Sequence, residues 1–169
     1  MANDLPIDMT QPRFMRLGQL LTPLGALLDG EPSGWANLSN ACAAVHSATG
    51  WHWVGFYLVD AVEDNLVLGP FQGPVACTRL HRGKGVCAAA WESGTTQVVT
   101  DVHAFPGHVV CSSSSMSELV LPVRNGLGEV VAVWDLDSAE PADFGAEDVQ
   151  AMEVLTALLE ERWSTWTWS

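Results

Sequence analysis

The stretch Leu119-Val120-Leu121-Pro122-Val123-Arg124-Asn125-Gly126-Leu127-Gly128, continued through Glu129 to Val130-Val131-Ala132-Val133-Trp134-Asp135-Leu136-Asp137, decides the fold class. Two runs rich in β-branched and aromatic residues flank Asn125-Gly126. That dipeptide tolerates the positive φ of a tight turn between antiparallel strands. The pattern predicts a hairpin with strands over 119–123 and 130–136. Upstream, Trp53-Val54-Gly55-Phe56-Tyr57-Leu58-Val59 reads as a strand, and further strands are expected over 66–71, 75–80 and 97–99.

Helices bracket these strands. Trp35, Leu38, Cys42 and Val45 recur at spacings of three and four, predicting a helix over 35–49 with Cys42 as a small core residue. An alanine-rich helix is expected over 86–93. A last one runs over 146–163, capped by Gly145, with Val149, Met152, Leu155, Leu159 and Trp163 on its apolar side. The order is helix, strands, short helix, hairpin, helix. It predicts an α+β fold: an antiparallel sheet of about six strands packed between N- and C-terminal helices and a short helix. At 169 residues one domain is expected, over 31–163, with an N-terminal extension over 1–30 and a Trp-rich tail over 164–169. The tail would pack across a dimer or be a loose end. The stretch 100–117 is long for a loop in a compact domain, and such loops are usually functional or disordered.

With 20 acidic against 7 basic residues and a net charge of −13, nucleic acid and anionic membrane are poor partners. The start is polar, with no basic region leading into an apolar core, and the apolar segment 17–28 is too short to span a bilayer. A cytoplasmic protein is expected, whose cysteines are reduced, catalytic or metal-bound rather than structural disulfides.

Asp135 and Asp137 lie two apart, on one face of the second hairpin strand. Carboxylates ~7 Å apart on a partly apolar face repel unless a cation lies between them or one is protonated. A ligand amine would answer that need; alternatively the strand has run out into solvent. Glu118 opens the opposite strand and could converge on the pair. Trp53 and Tyr57 share a face of the first strand and form either a box for a small cationic ligand or ordinary core. Cys77, Cys87 and Cys111 sit in the middle third, Cys111 on a polar, irregular segment with His103 and His108 nearby. A reactive thiol there needs a lowered pKa, which a neighbouring histidine can supply. The spacing His103-x4-His108-x2-Cys111 fits no tight zinc pattern, and no Cys-x2-Cys pair occurs, so no metal is expected. Gly83-Lys84-Gly85 before the short helix is a weak anion cradle. Ser112 to Ser115 either covers a site or is a solvated loop.

Taken in order, several segments resemble the free methionine-(R)-sulfoxide reductases, stand-alone GAF domains that act on the free amino acid. They are Trp53-Val54-Gly55-Phe56-Tyr57, Leu68-Gly69-Pro70-Phe71-Gln72-Gly73, Ala76-Cys77, Gly83-Lys84-Gly85-Val86-Cys87, Asp101-Val102-His103, Gly107-His108, Cys111, Ser117-Glu118-Leu119-Val120-Leu121-Pro122 and Asp135-Leu136-Asp137-Ser138. The resemblance implies that Cys111 is the catalytic cysteine, attacking the sulfoxide sulfur and becoming a sulfenic acid. Cys77 or Cys87 would resolve it, with Cys77 favoured, to a disulfide that thioredoxin reduces. Glu118, Asp135 and Asp137 would hold the substrate amine and polarise the sulfoxide, while Trp53 and Tyr57 would enclose the side chain. The same resemblance implies a homodimer and no cofactor beyond the external reductant thioredoxin. The chain departs from the family pattern at Ser112, where an acid usually follows the cysteine, and at Ala88, usually glycine. The alternatives are a non-catalytic GAF sensor for a small ligand and a thiol peroxidase. The three carboxylates disfavour the latter, because a peroxide needs no ammonium site.

Overall fold

The computed structural model describes residues 5–107 and 114–169. Its elements are helices α1 (Arg13–Gln19), α2 (Leu21–Gly30) and α3 (Gly34–Thr49), then strands β1 (Trp53–Asp60), β2 (Asn65–Gln72) and β3 (Arg79–His81). These are followed by α4 (Gly85–Ser93), β4 (Gln97–Val99), a 3-10 turn over Val102–Ala104, β5 (Ser117–Arg124), β6 (Val130–Ser138) and α5 (Ala146–Trp163). All strand pairings are antiparallel, in the order β3-β2-β1-β6-β5-β4. The α+β class and the hairpin of β5 and β6 are as the sequence predicts.

The pleat sends alternate residues to opposite faces, and here both faces are covered. Val54, Phe56, Leu119, Leu121, Val123, Ala132, Trp134 and Leu136 face a core shared with α1, α2, α3 and α5. Trp53, Tyr57, Val120 and Val133 face a second, smaller core closed by Val86, Cys87, Ala90 and Trp91 of α4. Strands buried on both faces read as nearly unbroken apolar runs, which is what β5 and β6 show. Trp134 is fully buried and stacks on Phe56 with centroids 4.7 Å apart, each such buried side chain contributing about 1.5–3 kcal/mol. Pro122 pairs with Val133 of β6 on one side, while β4 reaches only Glu118, Leu119 and Val120, so that Pro122 lies where β5 is an edge on its other side, a position that suits proline.

The structure adds elements at both ends. The apolar run 17–28 is helical, and Pro23 falls in the first turn of α2, where its missing N–H has no partner to lose. Arg13 anchors α1 through ion pairs to Asp143 at 2.9 Å and Asp148 at 2.6 Å, beside the ring of Trp51. The tail packs on its own chain. Thr167 N–H donates to Pro32 O and Gly34 N–H to Thr167 O. Trp168 lies across Gly34 so closely that a Cβ there would come within 2.7 Å of its ring. No helix among the described residues is long and apolar enough to cross a membrane.

One strand is shorter than expected. Residues 75–78 are irregular, and only Arg79–His81 pairs with β2. The reason is local: Tyr57 Oη donates to Cys77 O at 2.9 Å and Trp53 Nε1 to Pro74 O at 3.1 Å. Side chains from β1 thus take carbonyls that a ladder would have used.

Candidate active site

Register builds the site. Trp53 on β1 pairs with Asp137 on β6, which pairs with Glu118 on β5, so three polar or amphipathic side chains form one row across the sheet. In the next row on that face, Gly55 pairs with Asp135 and Asp135 with Val120. Trp53, Tyr57, Glu118, Asp135, Asp137 and Cys87 all line one pocket, enclosing about 570 Å³ with its open mouth included. That size suits a small molecule. The face that carries it is the one under α4, whose first turn brings Cys87 to Glu118 with Sγ to Oε1 at 3.9 Å.

Gly55 makes the aromatic wall possible. Trp53 folds over it and stacks on Phe71 at 5.3 Å and on Tyr57 at 5.9 Å. A Cβ at Gly55 would collide with the Trp53 ring and with Phe71 Cβ. Gly55→Ala is therefore expected to lower stability by about 1–3 kcal/mol and to weaken ligand binding, since the displaced indole is the pocket wall. Urea denaturation beside ligand titration checks both effects; a fully stable variant with unaltered binding would refute the steric argument.

Three carboxylates in one buried site cannot all be charged cheaply. Burial, then the charges of Asp135 and Asp137, pushes Glu118 well above the ordinary carboxylate range. Asp135 is raised likewise by burial and then by Asp137, with hydrogen bonds to Cys87 and Glu118 only partly offsetting this. Asp137 is raised by burial to about 6, against a hydrogen bond from Ser115 that favours its charged form. The Cys87 thiol is pushed up by burial and by the surrounding negative charge. It is a protonated donor at neutral pH, not a thiolate. Tyr57 is raised as well, by burial first and then by Asp135.

A raised carboxyl pKa stabilises the folded state below the unfolded value, and that contribution is lost as pH rises through the folded one. In metal-free buffer, the stability of the native sequence relative to Asp137→Asn is thus expected to fall between pH 4 and above 6. Urea denaturation across that range tests this. A difference independent of pH would mean Asp137 titrates normally.

A family model described as the GAF domain matches residues 38–161. The chain is 44% identical over 160 residues to GAF domain-containing protein A of Dictyostelium discoideum, covering 95% of this chain and 99% of the other. It is 43% identical to the free methionine-R-sulfoxide reductase of Escherichia coli strain K12, over 80% of this chain and 81% of the other. Its fold superposes with a TM-score of 0.92 on the X-ray structure of the free methionine-R-sulfoxide reductase from Neisseria meningitidis in complex with its substrate. That protein is 41% identical, with 97% of each chain covered. The chain belongs to the free methionine-(R)-sulfoxide reductase family.

In this member of the reductase family, Glu118, Asp135, Asp137, Trp53, Tyr57 and Cys87 are brought together as one constellation. Cys77 lies at the site's edge, half-buried, its carbonyl held by Tyr57. It is disulfide-bonded, whereas Cys42 and Cys87 carry free thiols. Of the expected states, reduced, catalytic or metal-bound, Cys42 and Cys87 are thus reduced, and Cys77 is not. Cys111, with His108, Ser112 and Ser113, lies outside the described residues. His103 sits in the 3-10 turn capped by Asp101 and is not among the residues lining the pocket. Cys42 is a core residue, as its helical spacing predicts.

Sequence reasoning did not single out Ser115 from its serine run and undervalued Lys84 and Gly85, all of which line the pocket. Ser115 stands in a uniform polar run with no period to mark one serine from the next. Lys84 and Gly85 carried only a faint anion-cradle signal.

Proposed function

We propose that the protein reduces free L-methionine-(R)-sulfoxide to L-methionine. The observation that carries this reading is the convergence of buried Glu118 and Asp135 with half-buried Asp137, three carboxyls against the single cation Lys84 in the pocket lining, beside the stacked rings of Trp53 and Tyr57. A free α-ammonium group supplies the missing charge, and a peptide-bound residue has none. That is the physical reason for acting on the free amino acid. The rings accept the methyl and methylene groups. Lys84 and the N-terminus of α4, which also line the pocket, suit the α-carboxylate.

In the reaction the Cys111 thiolate attacks the sulfoxide sulfur while a protonated carboxyl of the cluster gives its proton to the oxygen. The oxygen then passes to the Cys111 sulfur as the S–O bond and the transient S–S bond break, the electron pair staying on the substrate sulfur, so that methionine leaves and Cys111 is a sulfenic acid. The substrate gains two electrons and Cys111 loses two. The Cys77 thiol then attacks the sulfenic sulfur, forming a disulfide and releasing water, and the dithiol of thioredoxin reduces that disulfide by exchange. Cys77 suits the resolving role because it is disulfide-bonded while Cys87 is not. Cys87, donating to Glu118, instead holds a carboxylate in place.

Thioredoxin-coupled NADPH oxidation tests the reading with the free R form, the free S form and a peptide-bound sulfoxide. Turnover with the free R form alone is the expected result. Absence of turnover with all three, in protein shown to have reduced thiols, would favour a non-catalytic sensor.

A further inference from the structure

At the base of the pocket the donors outnumber what one ammonium group uses. Cys87 Sγ, one carboxylate oxygen of Glu118 and one of Asp135 lie within 4.8 Å of one another, and all three residues are buried. Two ligands of a tetrahedral zinc ion, with bonds near ~2.3 Å to sulfur and ~2.0–2.2 Å to oxygen, stand roughly 3.5 Å apart. The Cys87–Glu118 separation of 3.9 Å is therefore closed by a small side-chain rotation. An independent observation points to a ligand. Asp135 Oδ1 is buried with no hydrogen-bond partner among the described residues, and the residue as a whole is only 6% exposed. A buried acceptor left unpaired is costly, and the cost is met by a cation at that oxygen.

The donor set narrows the choice of ion. One sulfur, bound as a thiolate after the cation displaces its proton to solvent, with two carboxylates suits zinc or cadmium; magnesium and calcium take oxygen ligands. The three donors stand on α4 and on adjacent strands of the sheet, so they are presented by regular elements and not by a loop.

We propose that Cys87, Glu118 and Asp135 form a binding site for a thiophilic divalent cation such as Zn²⁺, which inhibits by taking the place of the substrate's ammonium group. The site itself stands on the geometry; the inhibition rests also on the function proposed above. Glu118 and Asp135 cannot coordinate the ion and hold the amine at once.

Cd²⁺ is the probe, because its bond to a thiolate gives an ultraviolet charge-transfer band. The titration uses oxidised protein with Cys77 in its disulfide, together with Cys42→Ala to silence the other free thiol. One equivalent of Cd²⁺ is expected to bind with the band, and Zn²⁺ to displace it. Cys87→Ser should abolish the band. Asp135→Asn and Glu118→Gln, which leave every thiol in place, should each weaken binding at least tenfold. Free methionine sulfoxide at ten times its own dissociation constant should raise the apparent Cd²⁺ constant about elevenfold.

A band that persists in Cys87→Ser overturns the site. So does unchanged affinity in both carboxyl variants, which decides the matter even if Cys87→Ser fails to fold. Cd²⁺ binding indifferent to the sulfoxide, in protein that turns the sulfoxide over, overturns the inhibition. Binding by this triad in protein that reduces no sulfoxide supports the site and overturns the function.

Discussion

Replacing Cys111 by serine is expected to abolish turnover of free methionine-(R)-sulfoxide, by at least about a thousandfold, which is the scale seen when a nucleophile is removed. The loss follows from what sulfur does in the proposed reaction. It must be ionised at neutral pH, attack another sulfur and carry away an oxygen at two-electron cost. A serine hydroxyl is not ionised at that pH and has no stable oxidised form of this kind. The contrast with Cys77→Ser makes the test specific. That variant should release about one equivalent of methionine and then stop, leaving a sulfenic acid that a nucleophilic trap such as dimedone labels. Single-turnover assays with mass spectrometry read both. Sustained turnover in Cys111→Ser would sink the mechanism, and full burst-free turnover in Cys77→Ser would move the resolving role elsewhere.

Asp135→Asn is expected to act with opposite signs on stability and on binding. In the empty protein, Asp135 is buried among two other carboxyls and a thiol, with one oxygen unpaired. Removing its charge relieves repulsion, so the variant should be at least as resistant to urea at pH 7 as the native sequence. In the proposed complex with substrate, the same carboxylate faces the ammonium group. Loss of one member of a buried charge pair costs about 2–5 kcal/mol, or roughly 30-fold to several thousandfold in affinity. Sites commonly trade stability for function in this way. Equilibrium unfolding and methionine titration on the same preparation separate the two effects. A variant that is both less stable and unaltered in affinity would mean that Asp135 serves the fold and not the ligand.

Much of this site was legible before any coordinates. The turn residues 125–128 between two apolar, β-branched runs mark the hairpin, because turn chemistry is a local property of the chain, although the left-handed residue proves to be Gly128 and not Asn125 or Gly126. The spacing of Asp135 and Asp137, and that of Trp53 and Tyr57, places each pair on one face for the same reason. Whether the aromatic pair was core or binding wall was not legible. In the structure the two are buried and stacked, as core residues are, and also line the pocket, their polar tips turned to the carbonyls of Pro74 and Cys77. The strand expected over 75–80 shrank to Arg79–His81 through those same contacts, made by residues some twenty positions away.

The sequence alone thus determined most of the elements from α3 onward, the antiparallel class and the chemical inventory: three carboxylates, an aromatic pair and thiols. These follow from periodicity and residue type, which act over a few positions. Only the tertiary structure decided that β1 and β6 lie side by side, so that Trp53 meets Asp137 and Gly55 meets Asp135. It alone set α4 over that face, so that Cys87 reaches Glu118, and folded the tail back across Gly34. Register between distant strands is chosen by the burial of both faces at once, a property that no local stretch of the chain contains.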